Sequence, residues 1–246
     1  MSTIYRTIKT AYRQIAPNFA HEYIFGGRSW LSKLILKAKG TMENVASHDE
    51  IYDEKYYLNY TEEMNRSSVG IASSIIDAFA PKTMIDIGCG SGEVLDRFAK
   101  LGVQAKGADL SAAALAACRS KGLDVSCIDL ESPGSAPDWN ADVVVSLEVA
   151  EHIPGAFADH YVSVLTKMAK WAVVITGAPP GQGGTDHVNE QPYSYWIEKF
   201  SLAGVDYSEE LTEKFRKDWT SRGVEASRAR NVMVFIKNHT NGLQKI

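Results

Sequence analysis

From Ser67 to Lys237, short apolar runs alternate with amphipathic segments, and this alternation is what most constrains the fold. TMIDIG (83–88), VQAKGADL (103–110), LDVSCIDL (123–130), ADVVVSLEV (141–149) and WAVVITGAP (171–179) read as strands. EVLDRFAKLG (93–102), AAALAACRSKG (112–122, capped by Ser111) and FADHYVSVLTKMAK (157–170) carry apolar residues at helical spacing. PYSYWIEKFSLAG opens a further helix at Pro192 and closes it at Gly204. Repeated strand–helix units bury both faces of a sheet when the strands are parallel and helices cover each side. Beyond Gly204, VDY (205–207), a helix from Ser208 and NVMVFIK (231–237) predict a terminal hairpin at the sheet edge. Residues 1–66 are more irregular, aromatic and basic, and are expected to form a helical cap or lid ahead of a core at 67–246.

A length of 246 residues with a hydrophobic share of 45% suffices for one such domain with an elaboration, or for two small domains. No apolar run approaches the ~18 residues of a membrane span. The opening MSTIYRTIKTAYRQIAPNF lacks the apolar centre of a secretory signal. Cys89, Cys118 and Cys127 are odd in number and widely spaced, which points to a reducing, cytoplasmic setting without disulfides. No group of His, Cys, Asp or Glu has metal-ligand spacing, so no metal is expected. The net charge of −4 divides unevenly, with +6 on residues 1–40 and −10 on the remainder. An acidic body disfavours nucleic acid as a partner.

In TMIDIGCGSGEVL, Gly88, Gly90 and Gly92 stand between a strand and a helix, where open α/β sheets bind ligands. A dinucleotide fingerprint needs glycine at position 93, where Glu93 stands, and no Gly-Lys-Ser/Thr follows to make a phosphate loop. Asp86 and Glu93 flank the turn with no Lys or Arg adjacent in sequence, which favours a cationic ligand over a pyrophosphate. Asp109 ends the second strand, where a carboxylate can accept ribose hydroxyls. Asp129 ends the third, within reach of an exocyclic amine, although a loop aspartate often only forms a turn. Cys89 suits a small apolar filler. S-Adenosylmethionine meets these requirements, having no phosphate, two cationic groups, a ribose and an adenine.

DIGCGSG, GADLS, CIDLES and SLEVAEHIP, in that order, resemble the motifs of class I S-adenosylmethionine-dependent methyltransferases over roughly residues 67–237. The resemblance implies a Rossmann-like α/β fold: a seven-stranded, mostly parallel sheet with an antiparallel last strand and helices on both faces. It places Asp86, Gly88, Gly90 and Gly92 at the methionine moiety, with Ile87 and Cys89 in the same turn. Asp109 and Leu110 then meet ribose and adenine, Asp129 and Leu130 flank the adenine, and Glu148 and Val149 line the floor. It further implies methyl transfer to a small-molecule acceptor, a hydroxyl of a sugar or glycan precursor or of a secondary metabolite. Other readings are a lipid-linked or prenylated acceptor at a membrane surface, RNA or protein methylation, and a non-catalytic cofactor-binding partner subunit. Peripheral membrane contact is suggested by the basic amphipathic SWLSKLILKAKG (29–40).

The stretch APPGQGGTDHVNEQPYSYW (178–196) resembles an acceptor-side loop in a subset of these enzymes. Its glycines suggest mobility, and His187, Asn189 and Gln191 alternate, so an extended backbone turns all three one way. A hydroxyl acceptor must lose its proton. His187 is the first candidate base and His152 the second, with Glu151 beside it. Against these stand a loop histidine bonded to backbone and a Glu-His pair bracing the next helix. Asn189, Gln191 and Tyr193 are candidate acceptor contacts or loop braces. Tyr52, Tyr56 and Tyr57 belong to HDEIYDEKYYLNY (48–60), read either as a lid or as an aromatic stripe packed on the sheet.

Overall fold

The strand that leads into the glycine turn is fastened at both ends. Thr83–Ile87 (β1) pairs in parallel with Gln104–Asp109 (β2) on one side and Ala141–Ser146 (β4) on the other. At its start the Asp142 carboxylate accepts from the backbone N–H groups of Lys82 and Thr83, at 2.8 and 3.0 Å. At its end the Ser146 hydroxyl donates to the Ile87 carbonyl at 2.8 Å and accepts from the Tyr161 hydroxyl at 3.0 Å. This is an interior strand of the sheet in a computed structural model that describes residues 54–132 and 134–237. All of these but residues 154–156 fall in a single unit.

The sheet order is β3-β2-β1-β4-β5-β7-β6, with β3 at Asp124–Cys127, β5 at Ala169–Thr176, β6 at Val205–Tyr207 and β7 at Val232–Lys237. The chain runs outward from β1 to β3 and then returns to β4, so the order reverses between β1 and β4. Ligands bind at such a reversal in open α/β sheets. Every residue of β4 is buried, as a strand covered on both faces requires.

Met84, Val143, Val145, Val174 and Val234 face one way, under the helices Glu54–Phe79 (α1), Glu93–Lys100 (α2) and Glu209–Ser221 (α6). Ile85, Ile87, Val144, Val173 and Phe235 face the other, under Ala158–Met168 (α4) and Tyr193–Leu202 (α5). Ala112–Ser120 (α3) follows β2, and the Ser111 hydroxyl caps it by accepting from the Ala114 N–H.

The expected antiparallel pair forms at the sheet edge: β7 pairs with β6 and also with β5, antiparallel to both, so it lies between them, and two helices, α6 and Ala226–Asn231 (α7), rather than one separate it from β6. The reason is burial: the apolar VMVFIK suits an interior strand, whereas the three-residue VDY suits an edge. The short α7, with no apolar stripe, escapes periodicity. The Glu225 carboxylate starts it by accepting from the N–H groups of Ser227 and Arg228. α1 runs unbroken through Arg66, where the composition shifts. Tyr52 and the basic segment 29–40 lie outside the described residues, as do the side chains of Tyr56 and Tyr57 on α1. No helix among the described residues is long and apolar enough to cross a membrane.

Phe235 is fully buried and stacks on Phe200 with ring centroids 3.9 Å apart. Phe235→Ala should lower the unfolding free energy by about 3–5 kcal/mol, read as a lower urea midpoint at unchanged slope.

Candidate donor and acceptor site

The glycine turn after β1 is held from β2. The N–H groups of Gly88 and Cys89 both donate to the Ala108 carbonyl, at 2.7 and 3.1 Å. The Gly90 N–H donates to Asp109 Oδ2 at 2.8 Å, while Asp109 Oδ1 accepts from the Ser111 N–H at 2.8 Å. One carboxylate thus joins the turn to the start of α3. Gly88 has φ 76°, and a Cβ there would lie 2.2 Å from Val149 Cγ2. Only glycine lets the turn approach the end of β4 this closely.

Asp86 is 4% exposed, and its carboxylate makes no hydrogen bond or ion pair among the described residues. Burial first, then the charges of Asp109 and Glu93, raise its pKa from 3.8 to about 7. Glu93 is treated differently. The absence of a base next to the turn holds in sequence but not in space: Lys121, at the end of α3, donates to Glu93 Oε1 and to the Ser91 carbonyl, each at 2.8 Å. The Ser91 hydroxyl donates to Glu93 Oε2 at 2.8 Å. With Lys121 engaged by Glu93, Asp86 is the buried carboxylate left uncompensated, and a cation is what relieves it. The ammonium and sulfonium of S-adenosylmethionine fit that demand; a pyrophosphate does not.

The remaining expected donor residues divide. The Ile87 side chain belongs to the core, and its carbonyl accepts from Ser146. Cys89 is buried, and its thiol is pushed well up by a hydrogen bond with Cys118 and by burial, so it fills space. Leu110 is 44% exposed beside Asp109, an open apolar side chain at the strand end. Asp129 forms a turn: its Oδ1 accepts from the Glu131 N–H at 2.9 Å, and its backbone pairs with the Ser135 hydroxyl. Leu130 is buried in the core. Glu148, at φ 56°, donates its N–H to Thr176 Oγ1 and accepts from that hydroxyl at Oε1, both at 2.7 Å. Val149 packs against Gly88.

A second cluster follows directly, on the 3-10 turn Ala150–His152. Glu151 is 1% exposed, and neither of its carboxylate oxygens has a hydrogen-bond partner. Burial, then the Glu148 charge, raises its pKa from 4.5 to about 8. The Glu151 carbonyl accepts from the N–H groups of Val188 and Asn189, both at 3.0 Å, which fastens the loop after β5 to this turn. His152 Nδ1 donates to the Asp186 carbonyl at 3.0 Å, and His187 Nδ1 donates to Glu190 Oε1 at 2.9 Å. The two rings meet edge to face with centroids 5.1 Å apart. In neutral imidazoles so held, Nε2 carries the lone pair.

Glu190 is the residue that pattern reading passes over. Besides His187, it accepts from the N–H groups of Gly181 and Gly183, at 2.8 and 2.7 Å. The His187 contact first, and then these two amides, hold its pKa low. The loop glycines, expected to confer mobility, have other uses here. Gly181 and Gly183 present amides to Glu190 from positive φ, and a Cβ on Gly184 would lie 2.3 Å from His187 Nε2. Of the three alternating side chains, Gln191 and Asn189 come together, Gln191 Nε2 donating to Asn189 Oδ1 at 2.9 Å, and His187 bonds to Glu190. The Tyr193 hydroxyl donates to Asn231 Oδ1 at 3.1 Å, bracing α5 against α7. The expectation of no metal-type cluster is also corrected, because Glu151, His152 and His187 bring ligand atoms within 4.8 Å of one another. Linear spacing hides this, since the third member arrives from a separate loop.

Residues 85–171 match the family model described as a methyltransferase domain. A ubiquinone biosynthesis O-methyltransferase of Alkalilimnicola ehrlichii is 29% identical over 56% of this chain and 53% of its own length. One from Bradyrhizobium is 38% identical over 33% of this chain and 35% of its own. The chain therefore spans about half or less of these two curated relatives. Among solved structures, a sugar N-methyltransferase from Streptoalloteichus superposes with TM-score 0.61 at 16% identity, covering 81% of this chain and 98% of that one. A Synechocystis magnesium protoporphyrin IX methyltransferase with bound SAH gives 0.56 at 14% identity, covering 95% and 100%. At such identities the likeness is one of fold.

The raised pKa of Asp86 fixes the sign of a proton linkage. The folded protein holds this proton up to about pH 7, whereas the unfolded chain releases it near 3.8, so the group favours folding most below that lower value and the contribution fades as pH rises through 7. A bound cation favours the ionised form. Calorimetry with S-adenosylmethionine in buffers of different ionisation enthalpy should show proton release near pH 7 and tighter binding at pH 8 than at pH 6. Asp86→Asn should abolish both effects.

Proposed function

We propose that this chain, a class I S-adenosylmethionine-dependent methyltransferase by its matched domain and sheet order, transfers the donor's methyl group to a hydroxyl of a small-molecule acceptor. The observation that carries the reading is the pair of buried, uncompensated carboxylates on either side of the β1–β4 reversal. Asp86 stands beside the glycine turn, where a cationic donor belongs. Glu151 stands with two oriented imidazoles beyond β4, where an acceptor must lose a proton.

Methyl transfer is an in-line displacement at a carbon that the sulfonium already activates, so the protein's part is alignment and exclusion of water. The open Leu110 side chain offers an apolar surface to the adenine, and Asp109 stands at the ribose. On the acceptor side, the loop between β5 and α5 forms the wall and is held by the Glu151 carbonyl and the Glu190 carboxylate. His187 is the first group to take the hydroxyl proton, because its Nδ1–H bond to Glu190 keeps Nε2 in the basic form; His152 is the second. Oxygen as the methylated atom is supported by these two oriented bases and by relatives that bear the name O-methyltransferase. The acceptor is drawn from sugar or glycan precursors and secondary metabolites, with Asn189 and Gln191 as candidate contacts.

The test is release of S-adenosylhomocysteine across a panel of sugars, phenols and their amino counterparts. Hydroxyl acceptors should turn over in preference to the matching amines. His187→Ala should lower kcat by about 10²–10⁴-fold, with donor affinity unchanged. Equal turnover of variant and parent across the pH range would remove His187 from the chemistry.

A further inference from the structure

Glu151, His152 and His187 form more than a pair of bases with an acid nearby. Their ligand-type atoms lie within 4.8 Å of one another, and the Glu151 carboxylate is buried with both oxygens unpartnered. A bare carboxylate in such a place is strongly disfavoured unless something positive meets it. Among the described residues, the backbone amides of Glu151 and Ala178 and, more weakly, the Arg228 charge ease the burden of burial, while Glu148 adds to it.

The two imidazoles are arranged as metal ligands usually are. Each donates Nδ1–H to an oxygen behind it, His152 to a backbone carbonyl and His187 to a carboxylate, which sets the ring plane and leaves the lone pair on Nε2. Glu190 is in turn fixed by two backbone amides, so the support behind His187 is itself rigid.

We propose that Glu151, His152 and His187 bind one divalent transition-metal ion of the zinc or manganese class, leaving open positions for the acceptor's oxygen. Two nitrogens and one carboxylate suit those ions better than magnesium or calcium, which prefer all-oxygen sites. Around a tetrahedral ion with bonds of about 2.0–2.1 Å, ligand atoms stand roughly 3.4 Å apart, so the three side chains close by about an ångström on binding.

This inference rests on the acceptor docking at the same cluster, and it gives the deprotonation another route. The hydroxyl oxygen coordinates the ion, its O–H bond breaks, and the proton leaves to solvent. The oxygen lone pair then attacks the methyl carbon as the C–S bond breaks, and that bond's electrons return to sulfur as a neutral thioether. The imidazoles act as ligands in this route rather than as bases.

The test uses the full chain, stripped with a chelator and titrated with zinc chloride, then manganese chloride, in a calorimeter, with metal content measured after gel filtration. One ion per chain is expected, with no displacement by excess magnesium. Glu151→Gln and His187→Ala should each weaken zinc at least about tenfold, and Glu190→Gln, at a residue that bonds to His187 alone among the three, by about 10–100-fold. His160→Ala, outside the trio on α4, should bind like the parent. Unchanged S-adenosylmethionine affinity shows that each variant is folded. The inference is overturned if the stripped chain takes up no zinc, or if Glu151→Gln and His187→Ala bind it as tightly as the parent. Zinc lost with these variants, but no acceptor methylated, would sink the proposed reaction and leave the metal site standing. Turnover abolished by His187→Ala in a chain that binds no metal would do the reverse.

Discussion

The bidentate grip of Asp109 is the contact on which the site depends. Its two oxygens hold the Gly90 and Ser111 amides, so the turn after β1 and the start of α3 cannot move independently. The same grip presses a charged carboxylate toward Asp86, which raises the cost of ionising the latter. Structural fastening and electrostatic frustration thus come from one side chain. Natural proteins tolerate such frustration at places where a ligand relieves it.

Three buried acids near the β1–β4 reversal show how differently one fold can treat like charges. Glu93 is satisfied internally by Lys121 and Ser91. Asp86 and Glu151 are left without such partners. The contrast gives the inference its direction: where the fold has the means to neutralise a carboxylate and does so once, the two exceptions mark where something from outside belongs.

Much of this was legible in the chain. Short apolar runs located β1 to β5, and the spacing of Asp86, Asp109 and Asp129 assigned them to successive strand ends. Both readings rest on local periodicity, which survives folding. What stayed hidden depends on contacts between distant segments. Lys121 reaches Glu93 across a helix, Thr176 engages Glu148 from the next strand, and Glu190 meets His187 inside a loop with no repeating pattern. Asp129 had two readings, and the Glu131 amide bonded to its Oδ1 is the contact that belongs to the turn-forming one. The contacts of the loop glycines stayed hidden because glycine signals permission in backbone shape without saying whether that permission serves motion or close approach. At Gly184 it serves the His187 ring.

The insertion of β7 between β5 and β6 has a consequence for how the molecule is made. Ile175 pairs with Met233, so the apolar inner edge of β5 emerges from the ribosome well before the segment that covers it. Until then, an unpaired hydrophobic strand faces the surroundings, the kind of edge that recruits other chains. Biosynthesis of this protein therefore carries a window of exposure, and chaperone demand and inclusion-body formation should follow the interval between those two strands more closely than the stability of the finished fold.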